Sequence, residues 1–408
     1  MSKMVKVAVI GSGIAGLLTA LNLSEKGFDV NIFTKGFGST AMSSGCFDIL
    51  GYSYEHNFPL KSPIDGFNSL PDYHPYKVVS ENSKSKFTTL LEHAFKLLKK
   101  FLGDFFIGNV FENVLVVTTF GTIRSTSLIL NTMSPAVLKD GDGIILLGIK
   151  NFRNLFDVDL TYDIFLRSLE KFSIDVDIIK TEVSLSGSLE KLFSENFKLK
   201  ELAKHINNIL TSYNGYKVLI PPIFQNFDKL RNLVDEPMSV GELPGDNRFG
   251  VGIRIVDRLL NEAFKVSQVT FIEDLTITSE ENLLKFKTLY SSSSYKYDYL
   301  VLATGDLIGG GLRFYHDFIN GRVKVNETLF GLDLCEESND VLLSDNFFKV
   351  HKLEAIGVRI DGEGHLVKKD GELVAKNVYA SGSIIGGYID SVENAGMGVP
   401  LVTCLWYT

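Results

Sequence analysis

The chain has 408 residues, 45% hydrophobic and 22% charged, with a formal net charge of −8. That balance suits a globular protein with a large core and two domains, and it argues against a nucleic-acid partner, which needs a basic surface to neutralise phosphates. Three cysteines far apart (Cys46, Cys335, Cys404) and seven scattered histidines leave no basis for a disulfide framework, an iron–sulfur cluster or a metal site.

In chain order, Val5–Ile10 is rich in valine and isoleucine, as a buried parallel strand requires, and Ile14–Lys26 has a helical repeat with Ile14, Leu17, Leu18 and Leu21 on one side. Gly27 stands where a helix-ending glycine belongs, and Asp29–Phe33 reads as a second strand. The whole is a β-α-β unit of the size a right-handed crossover needs. The lysines and apolar residues at the N-terminus are explained by this unit better than by a secretory signal. No apolar run approaches the ~18 residues of a membrane span, so a soluble chain is expected.

Further along, Lys84–Leu102 reads as a helix, Asn113–Thr119 and Gly143–Lys150 as strands, Asp157–Phe172 as a helix and Ile174–Ile179 as a strand. Ser194–Ser212 is a helix, Tyr216–Ile220 a strand ended by Pro221-Pro222, and Arg254–Lys265 another helix. Alternating strands and helices predict a second α/β domain. Val269 to Leu302 reads as three strand pieces broken at Ser279–Asn282 and Ser291–Ser294, a β-meander; Tyr299–Ala303 and Asn377–Ala380 are apolar strands running into glycine.

The fold class expected is α/β: a Rossmann-type FAD/NAD(P)-binding fold with a parallel sheet, a β-meander insertion and a second α/β domain. Its first domain is discontinuous, formed by residues 1–60, 246–312 with the meander, and 356–408. The second domain, for substrate or a partner, takes 61–245 and 313–355.

The chemistry is carried by Gly11-Ser12-Gly13-Ile14-Ala15-Gly16, which matches G-x-G-x-x-G between a strand and a helix. Gly11 allows the tight turn, Gly13 lets backbone approach a pyrophosphate, and Gly16 lets helix and strand pack closely. The helix N-terminus, with the N–H groups around Ser12 and Ala15, then faces an anion. At the end of the second strand, where the fingerprint expects a ribose-binding acid, stand Thr34 and Lys35. A hydroxyl there binds a ribose less strongly than a carboxylate. Val301–Gly305, which places Thr304 and Gly305 after a strand, resembles the strand-to-glycine signature of flavoproteins. Asn377–Ser383 resembles their C-terminal segment at the ribityl chain, with Ser383 after Gly382 in place of the usual aspartate.

Met42–Leu50 resembles the S-S-G-x-x-D-L-L segment of the B-subunit family of anaerobic glycerol-3-phosphate dehydrogenase. Gly121–Thr126, Gly252-Ile253-Arg254, Phe330–Asp333, Gly357-Val358 and Gly382–Gly387 are similar to further islands of that family, in the same order. The resemblance implies a flavoprotein subunit of a quinone-linked complex that oxidises sn-glycerol 3-phosphate to dihydroxyacetone phosphate. It implies a sister flavoprotein subunit and an iron–sulfur subunit as partners, a small phosphorylated polyol as substrate, and a cytoplasmic place at the inner face of the membrane. The resemblance implies FMN as cofactor; the glycine fingerprint favours FAD, because FMN has no pyrophosphate, and FMN stays the alternative. By the same resemblance Ser43, Ser44 and Gly45 pass beside the isoalloxazine, and Gly382–Gly398 approaches the ribityl and pyrimidine end. Asn394–Gly398, with Gly396, Met397 and Gly398, would start the last helix with its positive end toward the flavin.

Arg124 and Arg254 are the candidates for gripping a substrate phosphate, since guanidinium binds it bidentately; the alternative for each is a salt bridge. His316 and His351 are poor candidates for a general base, and Cys46 reads as a small buried residue. Two other readings stay open: a fumarate-reductase-like or amine-oxidising flavoenzyme, and a non-catalytic electron relay or scaffold.

Overall fold

Lys6–Ile10 pairs in parallel with Asp29–Thr34 on one side and Tyr299–Leu302 on the other. Gln268–Phe271 and Val378–Ala380 complete a five-stranded parallel sheet as its edges. The register sets Ile10 beside Phe33 and Leu302, so the carboxyl ends of the three central strands meet at Gly11, Thr34 and Ala303. The computed structural model describes residues 4–54, 58–185, 196–224, 226–245, 250–278, 281–346 and 349–405.

Helix Ile14–Glu25 crosses over between the first two strands and is buried on all sides from Ile14 to Leu23. Its apolar spacing predicts only one buried side. Helices Lys84–Leu102 and Gly398–Thr403 pack against it as well as the sheet, which explains the wider burial. Gly27, at φ +85, ends it as expected.

The chain divides into two compact units: Met1–Ala41, Asp48–Gly103 and Ile255–Thr408 form the first, Met42–Phe47 and Asp104–Arg254 the second. Residues 61–103 and 313–355, assigned to the second domain from sequence, therefore belong to the first unit, and residues 42–47 and 246–254, assigned to the first domain, belong to the second unit. Lys84–Leu102 turns Phe87, Leu91, Ala94, Leu98 and Leu102 inward and so completes the first unit's core. Leu312–Asp317, Arg322–Glu327 and Asp333–Ser338 form an antiparallel sheet of their own.

The β-meander is Asp274–Thr278, Leu283–Lys287 and Ser292–Lys296. The piece around Val269 joins the parallel sheet instead, as an edge strand whose partly exposed side chains give no meander-like alternation. The serines read as a break are strand residues from Ser292 onward. Ser279 and Glu280, in the other break, lie outside the described residues.

The second unit holds a four-stranded parallel sheet in the order Val240–Glu242, Lys217–Ile220, Asp142–Ile149, Val176–Val183. Alternate residues of Asp142–Ile149 feed two cores. Ile145 and Leu147 pack with Leu202 and Ile206 of helix Asn196–Ser212. Ile144 and Leu146 pack with Phe165 and Leu169 of helix Val158–Phe172, which Asp157 caps by accepting from the Asp159 and Leu160 amides. The expected second α/β domain is present, with its strands parallel. Residues 194 and 195 of the expected helix Ser194–Ser212 lie outside the described residues.

Cys404 is buried, donates to the Leu401 carbonyl at 3.1 Å, and burial pushes its thiol from 9.0 up to about 12. The folded chain keeps this proton where the unfolded chain loses it, so this contribution to stability is present at neutral pH and lost as pH rises from about 9 to about 12. The melting temperature is expected to fall over that window, and to fall less in Cys404→Ala. With a thiol reagent near pH 8, only half-buried Cys335 should label, slowly, because burial raises its thiol too. All three thiols should label in urea; a second thiol labelling natively would contradict the burial.

Candidate functional site

Two of the three fingerprint glycines are required by the fold. Gly11, at φ +115, donates its N–H to the Phe33 carbonyl at 2.8 Å, and a Cβ on it would overlap the Ala303 carbonyl oxygen. A Cβ on Gly16 would overlap the Gly11 oxygen. Gly13 differs. Its backbone (φ −68, ψ 177) suits any residue, and a Cβ there would meet only the Thr40 hydroxyl, at 3.4 Å. The bare backbone at Gly13 thus leaves space in front of the helix that it caps. That helix has no acidic residue in its first turn, and its first N–H groups have no partner within the helix itself. The Ile14 amide donates to Thr40 Oγ1 at 2.9 Å.

Thr34 does not present its hydroxyl for a ribose. Both Thr34 and Ser12 are buried, and both donate to the Gly36 carbonyl, at 2.6 and 2.7 Å. The two hydroxyls lie 2.9 Å apart, and together they clasp the turn that begins at Lys35. This turn folds back over the glycines: Gly38, at φ +66, would place a Cβ 3.3 Å from the Gly13 Cα. Lys35 is exposed and stands 3.8 Å from Asp274. Thr40 was missed from sequence; the hydroxyl cluster Ser39-Thr40 soon after the second strand was its signal.

Thr304 follows the strand Tyr299–Leu302, and its Oγ1 is buried with no hydrogen-bond partner among the described residues. A buried hydroxyl left so costs about 1–3 kcal/mol unless a ligand supplies the partner. Gly305, at φ +77, turns the chain there. Gly382, at φ +81, donates to Thr403 Oγ1 at 2.9 Å, and a Cβ on it would overlap that of Ala15. Gly382 is thereby laid on the first turn of the fingerprint helix, with half-buried Ser383 following it.

The segment from Asn394 departs from expectation. The helix begins only at Gly398 and ends at Thr403. The Ala395 and Gly396 amides donate to Asp390 Oδ1 at 2.9 and 2.5 Å, and the Met397 and Gly398 amides to the Asp48 carbonyl at 3.3 and 2.8 Å. These N–H groups, expected to face a flavin, are held by the protein. A Cβ on Gly398 would overlap the Tyr76 hydroxyl, so this glycine is required by packing.

In the second unit Gly45 lies at φ +93 with Met133 and Val251 where a side chain would stand. The Ser44 carbonyl accepts from the Gly245 amide at 3.1 Å, and Ser43 Oγ accepts weakly from the Gly45 amide at 3.4 Å. Arg124 sits half-buried on Ile123–Thr126, opposite Val116. The fork of Arg254 is filled: Nη1 and Nη2 reach Glu242 Oε2 and Oε1 at 2.9 and 3.2 Å, and Glu242 is fully buried. Burial pushes the Glu242 carboxyl up against the pull of Arg254. Buried Arg231, held by the Val240 and Thr132 carbonyls at 3.1 and 3.2 Å, lies nearby, and burial lowers its pKa. For Arg254 the salt bridge, not the phosphate grip, is what the structure holds. Among the described residues there is no group of three or more metal-ligating side chains and no helix long and apolar enough to cross a membrane.

Residues 6–184 match the family described as FAD binding domain. Over 98% of its length the chain is 27% identical to the B subunit of anaerobic glycerol-3-phosphate dehydrogenase from Mannheimia succiniciproducens, covering 96% of that protein. It is 23% identical over the same share to the probable B subunit of the enzyme from Halobacterium salinarum, covering 95% of it. The chain is a distant relative of these proteins. Among solved structures, glycine oxidase from Geobacillus kaustophilus aligns over 99% of this chain and 94% of its own, at 11% identity and a TM-score of 0.31.

The chain is thus an FAD-binding flavoprotein of the oxidoreductase class. The residues present fit that cofactor: a Gly13 backbone with a single neighbour, the Thr40 hydroxyl, where a Cβ would stand, a helix terminus for a pyrophosphate, and the buried Thr304 hydroxyl without a partner among the described residues.

Proposed function

We propose that this chain is a flavoprotein subunit of a quinone-linked complex that oxidises sn-glycerol 3-phosphate to dihydroxyacetone phosphate. Its partners would be a sister flavoprotein subunit and an iron–sulfur subunit at the inner face of the membrane. The observation that carries this reading is the likeness to B subunits of glycerol-3-phosphate dehydrogenase across 98% of the chain, joined to the Gly11–Gly16 turn at a helix terminus, which would seat a dinucleotide. The bound FAD would supply hydride and electron transfer. Gly13 and the first turn of its helix would bind the pyrophosphate, and Thr304 would donate to the cofactor. Arg124 remains the candidate for a substrate phosphate.

A specific observation favours placing substrate oxidation on the partner, with this chain as electron relay. Proton removal from the substrate hydroxyl needs a base, and the candidates are bound into structural contacts. His351 Nδ1 accepts from the Ser344 amide at 3.0 Å, and the His316 ring packs edge-on against Phe318 with its Nδ1 buried away from solvent. Without oxygen, glycerol 3-phosphate should bleach the flavin of this chain when the sister subunit is present and leave it oxidised when the chain is alone. Bleaching of the isolated chain would move the oxidation here. No bleaching in the assembled complex would contradict the substrate assignment.

A further inference from the structure

The meander hairpin made by Leu283–Lys287 and Ser292–Lys296 is packed on one face and bare on the other. Alternation turns Leu284, Phe286 and Tyr295 inward. Leu284 is fully buried, and the ring centroids of Phe286 and Tyr295 lie 5.1 and 5.3 Å from that of Phe33 on the parallel sheet. Lys285, Lys287, Ser292, Ser294 and Lys296 occupy the opposite face, and all five are exposed.

The tip of this hairpin is the pair Leu289-Tyr290, 68% and 92% exposed. It is held in one shape. The Thr288 amide donates to the Ser291 carbonyl at 2.8 Å, and Thr288 Oγ1 accepts from the Tyr290 and Ser291 amides at 3.3 and 3.1 Å. The centre of a hairpin turn favours Asn-Gly or Asp-Gly, so Leu-Tyr is not there for the turn, and its exposure shows that it is not there for the core. Charge indicates what the tip meets. Residues 283–296 carry Lys285, Lys287 and Lys296 and no acidic residue, in a chain of net charge −8. The acids facing this group are Glu273, 3.2 Å from Lys287, and Asp274, 3.8 Å from Lys35. Both pairs are exposed and weak, and the four lysines outnumber the two acids. The other exposed apolar tip, Phe318-Ile319, has the opposite balance: residues 312–338 set Arg313, Arg322 and Lys324 against Asp317, Glu327, Asp333, Glu336 and Glu337.

We propose that the Leu289-Tyr290 tip docks this chain on an anionic lipid surface. The apolar pair enters the headgroup boundary, where a tyrosine keeps its ring in apolar surroundings and its hydroxyl in water. Lys287 and Lys285, the second within about 13 Å of Leu289 along the strand, meet the lipid phosphates. One apolar pair with a few lysines gives reversible attachment only. The proposal rests on the membrane location proposed above and not on the substrate.

The test is flotation of the FAD-loaded chain with vesicles of phosphatidylglycerol and phosphatidylcholine in equal parts, beside vesicles of phosphatidylcholine alone. The wild type should float with the first and far less with the second, and added salt should release it. Leu289→Ser/Tyr290→Ser and Lys285→Gln/Lys287→Gln should each lower the partition coefficient roughly tenfold. FAD content and melting temperature should stay unchanged, because all four side chains are exposed. Phe318→Ser/Ile319→Ser should float like the wild type. A wild type that ignores the anionic vesicles would overturn the proposal, and so would a Leu289→Ser/Tyr290→Ser variant that floats as well as the wild type. An equal loss in Phe318→Ser/Ile319→Ser would overturn it too, as unspecific apolar adhesion. If the Leu289→Ser/Tyr290→Ser variant lost the sister subunit while no protein floated, the tip would be a protein contact instead. Bleaching by glycerol 3-phosphate is measured separately, so a failed flotation leaves the substrate assignment standing.

Discussion

Gly13→Ala is expected to fold and to lose FAD affinity, whereas Gly11→Ala and Gly16→Ala are expected not to fold. The same methyl group is added in all three, so the difference lies in what it meets. At Gly11 and Gly16 it overlaps backbone oxygens that define the turn, and Gly11 also sits at φ +115. Neither oxygen can retreat without pulling the strand Tyr299–Leu302 or the helix Ile14–Glu25 away from the central strand. A cost of about 4 kcal/mol or more is expected, a large share of the stability of an ordinary domain. At Gly13 the methyl meets one hydroxyl at 3.4 Å in a conformation open to alanine. The loss at a helix cap is at most about 1 kcal/mol, but the methyl occupies the approach to the helix terminus. FAD affinity should fall roughly a hundredfold, about 3 kcal/mol. Thermal melts by circular dichroism and flavin fluorescence titrations measure the two effects separately. Equal destabilisation at all three glycines, or full FAD affinity in Gly13→Ala, would show that Gly13 serves the fold alone.

Arg254→Ala should destabilise the protein by about 3–5 kcal/mol, because it strands the fully buried Glu242 carboxylate without its bidentate partner. Lysine cannot reproduce two parallel hydrogen bonds from one planar group, so Arg254→Lys should recover only part of the loss. Glu242→Met/Arg254→Met, which removes both charges, should be markedly more stable than Arg254→Ala. Urea denaturation gives all three values. If Arg254→Ala unfolded at the wild-type urea concentration while weakening substrate binding, the pair would be dispensable to the fold and the phosphate-binding role would stand.

What could be read from the sequence was what is encoded locally. The strand–glycine–helix–strand unit is contiguous, so periodicity and three glycines were enough to place Gly11, Gly13 and Gly16. Three strands of the second unit's parallel sheet were visible as runs rich in apolar residues between helices; the fourth, Val240–Glu242, is Val-Gly-Glu and too short and polar to announce itself. The covering of one element by another was not visible. Lys84–Leu102 shows an apolar face, but nothing in its spacing says that the face closes the first unit. Thr34 occupies the ribose position by count, yet its hydroxyl is taken by Gly36 and Ser12, a loop contact that no periodicity announces. The Glu242–Arg254 pair involves an acidic residue outside any recognisable motif.

FAD binding at the glycine turn is tested most directly by an equilibrium titration of the flavin-free protein with FAD and, separately, with FMN, followed by flavin fluorescence. The turn offers its helix-terminal N–H groups to a pyrophosphate, which FMN lacks. FAD should therefore bind one equivalent per chain and at least roughly tenfold more tightly than FMN. Equal or tighter binding of FMN, or no binding of either, would contradict it.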